Sequence, residues 1–324
     1  MSSDDVVVVA GEALFDLVPS GFGDDLRGHA GGGPFNTART IGRLGVPVAF
    51  LGRLSRDRFG RRLEDLLAAD SVALDCVVRT DDPTTLAVAE VDSGGVARYR
   101  FYTSGTSARG LTPEAALAAL PQSVGALHVG TLGLALEPVA SALEAVIERL
   151  RGNALIIVDP NCRPSVIDDR NAYCARLARV LSHSDVVKVS EEDVAWLEPG
   201  LTAVDGVRAL LERGPAVGLL TRGPSGAVIV TRADITVVPA PPSKVVDTIG
   251  AGDAFGGAFL AWWYGHGFSA EELERIDLVV EATRFACMVA ARTCARPGAS
   301  PPHRSELERS SETGADALGN RFPM

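Results

Sequence analysis

From Leu127 to Val238 the chain repeats one unit: a short run of β-branched and aliphatic residues, then a longer stretch with helical spacing. Leu127 to Val129, Leu155 to Val158, Val186 to Val189 and Val217 to Thr221 read as strands. Pro138 to Leu150, Tyr173 to Leu181, Glu191 to Leu197 and Val204 to Glu212 read as helices, and Ala227 to Val230 and Thr236 to Val238 as two further strands. The strand runs are apolar throughout, so both faces of their sheet are covered. This alternation predicts a three-layer α/β/α sandwich with a mostly parallel central sheet. Such sheets bind ligands at the carboxyl ends of their strands. The polar residues gathered there are Asp159, Asn161 and Arg163, then Ser190, Glu192 and Asp193, then Thr221, Gly223 and Gly226.

The first part of the chain is less regular. Val6 to Ala10 reads as a buried strand ending at Gly11. Asp16 lies inside the apolar stretch Glu12 to Val18. It either faces solvent on an alternating strand or accepts hydrogen bonds from a sugar's hydroxyls. Gly31-Gly32-Gly33-Pro34-Phe35-Asn36 then precedes a helix over Thr37 to Leu44, stopped by Gly45. The glycines let a ligand approach the backbone, and Asn36 offers a donor and an acceptor to a polyol. Equally, the segment is a flexible loop with Asn36 as a helix cap. Val48 to Gly52 reads as a strand and Arg56 to Ala69 as a helix. Thr84 to Val91 and Ala97 to Thr103, separated by Asp92-Ser93-Gly94-Gly95, form a hairpin signal. It interrupts the alternation, which places it outside the main sheet as a lid. Phe101 and Tyr102 point to opposite faces of it, so one can close over a ligand unless both only pack the sheet.

The 324 residues contain no internal repeat and no linker. A single domain is expected over 1–301, with the lid formed by roughly 12–30 and 84–105. The polar tail, 302–324, is expected to be partly disordered. A net charge of −10 without a basic block argues against nucleic acid as a partner. Five scattered cysteines without metal spacing fit reduced thiols in the cytoplasm. The polar start of the chain lacks a basic n-region, and no apolar run is long enough to span a membrane. Lys188 and Lys244 are the only lysines beside many arginines, which reads as coding bias and not as a site.

Near the other end, Asp247-Thr248-Ile249-Gly250-Ala251-Gly252-Asp253-Ala254-Phe255 opens a strongly apolar run through Tyr264. A helix starting at these glycines aims unpaired N–H groups and its positive dipole end at whatever lies above, which makes an anion site. A carboxylate at its mouth repels phosphate but suits a base that takes a proton from a hydroxyl. Alone, the motif is as readily a tight turn with a first-turn acid.

Taken together, Gly32-Gly33 with Asn36, Arg43-Leu44-Gly45, and the later Gly250-Ala251-Gly252-Asp253 resemble the two signatures of the ribokinase-like, or phosphofructokinase-B, carbohydrate kinases. The likeness runs from Val6 to about Pro301 and is strongest to the fructokinase branch. It implies an ATP-dependent sugar kinase, with fructose or a related ketose favoured as acceptor. Asp253 is then the base, with Gly250, Ala251 and Gly252 as the anion hole. Asp16, Gly32, Gly33 and Asn36 resemble the sugar-contacting set, Arg163 is similar to an arginine that in some sugar-kinase relatives touches both substrate and phosphate, and Phe101 of the hairpin is a further candidate for the substrate. Thr221, Gly223 and Gly226 resemble the nucleotide loop, and Asp247 and Thr248 the ligands of a monovalent cation such as K⁺. Two departures stand out. The family's Asn-x-x-Glu, tied to Mg²⁺ and phosphate, is Ser190-Glu191-Glu192-Asp193, which favours Mg²⁺ bridged by water over direct contact by Ser190 or Asp193. Cys287 stands where an Asn is frequent near the adenine. The resemblance also implies a homodimer through the hairpin.

Three alternatives stay open at this stage. One is a 2-keto-3-deoxygluconate or riboside kinase of the same family. Another is a dinucleotide-dependent oxidoreductase, although the third glycine of its fingerprint would be one place late, at Gly256. The last is a non-catalytic sugar or nucleotide sensor.

Overall fold

The structure, a computed structural model, describes residues 5–19, 25–91 and 97–312. Its strands are β1 Val6–Ala10, β2 Leu14–Pro19, β3 Leu26–Gly31, β4 Val48–Ser55, β5 Val72–Ala73, β6 Val77–Thr80 and β7 Leu86–Val91. They continue as β8 Ala97–Tyr102, β9 Val124–Gly130, β10 Leu155–Asp159, β11 Val186–Ser190, β12 Val217–Thr221, β13 Ala227–Val230 and β14 Ile235–Val238. The helices are α1 Gly33–Arg43, α2 Arg58–Ala69, α3 Pro113–Ala119, α4 Leu132–Ala135, α5 Val139–Leu150 and α6 Arg170–Leu181. After them come α7 Glu191–Leu197, α8 Ala203–Leu211, α9 Ala251–Gly265, α10 Ile276–Cys294 and α11 Arg304–Glu312.

The large sheet runs β14-β13-β12-β11-β10-β9-β1-β4-β5, with β6 also pairing β4. It is parallel from β12 to β5, while β13 and β14 are antiparallel additions. Alternate residues of one strand feed opposite cores, because side chains alternate across a sheet. Val7 and Val9 pack with α1, α2, α9 and α10. Val8 and Ala10 pack with α3 and α5 to α8. The expected three-layer sandwich is therefore present, with its core in two slabs.

The lid is a second sheet of order β3-β2-β7-β8. The hairpin β7–β8 is antiparallel, and β2 joins it in parallel through Phe15, Asp16 and Leu17. The loop residues 92–96 lie outside the described residues.

Helix α9 is buried on all sides from Asp253 to Tyr264, as a helix that is apolar all round must be. Small residues let α1 come close to it. A methyl group on Gly257 would lie 2.9 Å from both the Thr37 carbonyl oxygen and Thr40 Cβ. This close approach carries the N-terminal glycine segment onto the start of α9.

Part of the polar end of the chain is ordered. Residues 304–312 form α11, held to the body by the Arg296–Glu306 ion pair at 2.8 Å. A local sequence signal for this helix was weak, and a tertiary contact supplies what propensity did not. Residues 313–324 lie outside the described residues. Among the described residues, no helix is long and apolar enough to cross a membrane.

Candidate active site

The strand ends, the start of α9 and the lid enclose a cleft of about 420 Å³. The site begins with the turn before α9. Gly250 caps the helix at φ 75° and ψ 4°, a left-handed conformation that favours glycine. A side chain there would also meet Ala299 Cβ at 2.5 Å. The Ala251 N–H is already taken by the Thr248 carbonyl at 3.2 Å. Among the described residues, no backbone acceptor takes the N–H of Gly252 or Asp253. Of the residues expected to form an anion hole, Gly250 and Gly252 line the cleft beside Asp253, and Ala251 does not.

Asp253 is buried, and Asn36 Nδ2 donates to its Oδ2 at 2.9 Å. Burial pushes the Asp253 carboxyl above its usual range, while Asn36, Lys188 and Arg163 pull it back. The other amide atom, Asn36 Oδ1, is buried without a partner among the described residues. Asn36 is a lining residue of the cleft, and a hydroxyl donor is what this oxygen lacks. Gly33 leaves the gap between Asp253 and Thr131 open: a methyl group there would lie 3.3 Å from Asp253 Oδ1 and 2.5 Å from Thr131 Cγ2.

Asp16, on β2 of the lid, is half-buried and lines the cleft with Gly32 and Phe101. Asp16 therefore faces the cleft and not only bulk solvent. Burial and the neighbouring Asp253 charge raise its pKa to about 6, against the pull of Arg163. Arg163 is exposed and is turned by its bonds to Asn161, whose Oδ1 accepts from Nη1 at 2.5 Å. Phe101 lines the cleft, while Tyr102 faces away and is 53% exposed.

On the far side, Ser190 and Asp193 line the cleft, but they are occupied with each other. They form a reciprocal capping box at the start of α7. Asp193 Oδ1 also accepts the Cys162 N–H at 2.6 Å. Thr221 lines the cleft and donates to the Val189 carbonyl at 3.2 Å. Gly223 and Gly226 lie in the turn after β12 and do not line the cleft. Gly226 has φ 89° and sits where a side chain would strike the Val238 backbone, so it is needed for the turn itself. Thr248 lines the cleft. Asp247 does not; its carboxylate accepts the N–H groups of Ile249 at 3.0 Å and Gly298 at 2.8 Å. Cys287 is not at the cleft either. It is buried on α10 among Phe285, Ala286 and Val289, and burial raises its thiol pKa to about 11.

Four polar lining residues escaped the sequence reading: Glu12, Tyr99, Thr131 and Lys188. Glu12 is buried, and its carboxyl accepts from the Thr131 hydroxyl and, at 3.2 Å, from the Gly133 N–H. Burial raises its pKa to about 7. Thr131 itself adopts φ 55° and ψ −136°, a strained combination for a β-branched residue. Lys188 is buried on β11 and ion-paired to Asp159 at 2.6 Å, so its reading as compositional bias is corrected. An acid placed directly after Gly11, and a lysine inside Val186-Val187-Lys188-Val189, were the available signals.

The chain has recognisable relatives among known proteins. The chain is 36% identical over 261 residues to a fructokinase of Rhizobium leguminosarum bv. trifolii, covering 79% of each chain. It is 33% identical over 310 residues to a fructokinase of Klebsiella pneumoniae, covering 93% of this chain and 98% of the relative. Among solved structures it is similar to a Xylella fastidiosa fructokinase with bound ATP, at TM-score 0.86 and 27% identity, covering 95% of this chain and 99% of the other. It is also similar to a Vibrio cholerae O395 fructokinase bound to fructose, ADP and a calcium ion, at TM-score 0.84 and 26% identity, with 95% and 99% covered. The pfkB family carbohydrate kinase model matches residues 6–306, and this protein belongs to that family.

Proposed function

We propose that this protein transfers the γ-phosphoryl group of ATP to a primary hydroxyl of a small sugar, fructose or a close ketose, with Asp253 as the base. The observation that carries this is the Asn36–Asp253 pair. It sets a buried carboxyl beside an unfilled acceptor, next to two free N–H groups at a helix start. The sugar's hydroxyl donates to Asp253 while Asn36 Oδ1, Asp16 and Arg163 hold its neighbours. As the new O–P bond forms and the bond to ADP breaks, Asp253 takes the proton. The N–H groups of Gly252 and Asp253 receive charge on the phosphoryl oxygens. Asp253 then returns its proton to solvent.

ATP enters from the ends of β11 and β12, past Ser190 and Thr221. Among the described residues, no group of three or more His, Cys, Asp or Glu is arranged to hold a metal. That fits Mg²⁺, which keeps most of its waters and is held mainly by phosphates. Mg²⁺, when bound, neutralises phosphate charge. Asp247 and Thr248 border the anion turn, and each Asp247 oxygen retains a free lone pair suited to K⁺. A second copy of the chain, paired through the edge strand β8, is the proposed assembly and would cover Tyr102.

The test is single-turnover transfer from γ-labelled ATP to a panel of fructose, other ketoses, 2-keto-3-deoxygluconate and ribosides. Label on fructose supports the reading. Label only on one of the others transfers the proposal to that sugar. No label on any sugar, with tight NAD(H) binding, overturns it.

A further inference from the structure

Beneath the first turn of α9 lies a polar layer that the reaction above leaves unused. His128 of β9, Asp159 of β10 and Lys188 of β11 all project from the α9 face of the sheet, two positions on from the core residues Ala126, Ile157 and Val186. Lys188 is buried, yet it is one of the residues lining the cleft. Its Nζ donates to Asp159 Oδ2 at 2.6 Å. The stem runs along a groove left by two glycines one helical turn apart. A methyl group on Gly252 would lie 3.3 Å from Lys188 Nζ, and one on Gly256 would lie 3.5 Å from Cδ. The ammonium therefore ends behind Gly252, one of the two residues with a free N–H.

The cleft needs that charge. Its lining carries the carboxyls of Glu12, Asp16, Asp193 and Asp253, against the cations Arg163 and Lys188. Arg163 is exposed and already bonded to Asn161. A charged pair under a helix is costly to desolvate, and two apolar side chains would fill the same space with less penalty. Burial works against the Lys188 charge, but Asp159, Asp253 and Asp193 outweigh it and push its pKa up. His128 beside it is neutral, its pKa lowered to about 3 by burial and by Lys188.

We infer that Lys188 is a positioning residue of phosphoryl transfer, a fixed positive charge set by Asp159 behind the Gly252–Asp253 anion hole. This inference rests on the kinase reading above. Two effects follow. The ammonium backs the hole with a full charge where the backbone supplies only partial ones. It also helps keep Asp253 ionised, against burial. The groups facing Asp253 that bear on its charge are Asn36 from α1, Glu12 after β1, Asp16 from β2, Asp159 and Arg163 at the end of β10, and Lys188 from β11.

The test compares Lys188→Met, Asp159→Asn and the double variant Asp159→Asn/Lys188→Met by kcat, KM, pH profile and thermal unfolding. Lys188→Met alone leaves Asp159 buried and unpaired, so the double variant, which removes both charges, is the decisive one. Its expected kcat falls by about 30-fold or more with the sugar KM changed by less than about threefold. The acid limb of its kcat/KM profile moves up by about one pH unit. A double variant with the wild-type kcat and acid limb would mean that Lys188 only neutralises Asp159, and would overturn the inference. So would a double variant that fails to fold while Lys188→Met folds and keeps the wild-type acid limb. Failure of the kinase reading itself is seen separately, in wild-type protein that labels no sugar.

Discussion

Replacing Asp253 by Asn removes the proton acceptor and keeps the shape. In the wild-type protein Asn36 Nδ2 donates to Asp253 Oδ2 at 2.9 Å. An amide oxygen in the same place accepts the same bond, so the contact between α1 and α9 survives. Burial already makes the carboxylate form costly at this position, and the amide carries no such cost. The variant should therefore fold at least as well as wild type. A positioned general base contributes about 10²- to 10⁴-fold, so kcat should fall by that factor, or about 3–5 kcal/mol in the barrier. The KM for sugar and the affinity for ATP should stay within about threefold of wild type, because the lost interaction belongs to the transition state. Labelled-phosphate transfer gives kcat, and calorimetric titration gives ATP binding. The wild-type kcat/KM should rise with pH through the raised Asp253 pKa, since the base works deprotonated, and the variant should lack that limb. A variant within tenfold of the wild-type kcat, or one whose loss lies wholly in KM, would refute Asp253 as the base.

Three further outcomes are expected. Glu12 has a folded-state pKa of about 7 against an ordinary 4.5, so the folded state holds its proton more tightly. Its contribution is full at low pH and is lost as pH rises through about 7, by roughly 3 kcal/mol over the window. Denaturant titrations of wild type and Glu12→Gln should accordingly diverge in slope between these pKa values, with the variant flatter; parallel curves would count against a buried, titrating Glu12. Gly250→Ala forces a side chain into the left-handed region and against Ala299, so melting temperature and kcat should both fall, the backbone strain alone costing about 1–2 kcal/mol. Asp70 is buried; its Oδ2 accepts from Arg39 Nε at 2.6 Å, and its Oδ1 is ion-paired to Arg43 Nε at 2.8 Å. Asp70→Ala strands two guanidinium groups and should destabilise the fold by about 3–5 kcal/mol in denaturant titration, a loss that a surface pair would not produce.

The central sheet was legible because its strands are buried on both faces and so appear as unbroken apolar runs. Strand β3 carried no such mark. Leu26-Arg27-Gly28-His29-Ala30-Gly31 is mostly exposed and contains two glycines, and it is a strand because β2 offers it a ladder. The same holds for α11, whose polar sequence is anchored from outside by the Arg296–Glu306 pair and by Leu307 against the core. Asp253, Asn36, Gly33 and Asp16 could be read because loops rich in glycine and lone acids in apolar runs need reasons. Lys188 could not, since a single lysine in a strand looks the same whether it points to solvent or into a polar floor. Cys287 illustrates a different difficulty. Position along a helix does not reveal which face meets the ligand, and this one meets the core. Ser190 and Asp193 show a third cause: residues suited to organising phosphate also make a helix cap, and their hydrogen bonds are already committed to that cap.

The two carboxyls that would grip the sugar belong to different sheets. Asp16 is borne by β2 of the lid, and Asp253 by α9 against the large sheet. Tyr99 and Phe101 reach the same cleft from β8. A sugar bonded at both ends is therefore a crosspiece joining two pieces of the protein, and its hydroxyls divide into those that react and those that fasten. Trimming a fastening hydroxyl leaves the reacting one untouched, yet it loosens the wall that keeps water from the phosphoryl group. A truncated sugar should then turn over more slowly and also let ATP be hydrolysed without an acceptor, so the leak to water gauges how firmly the lid is tied.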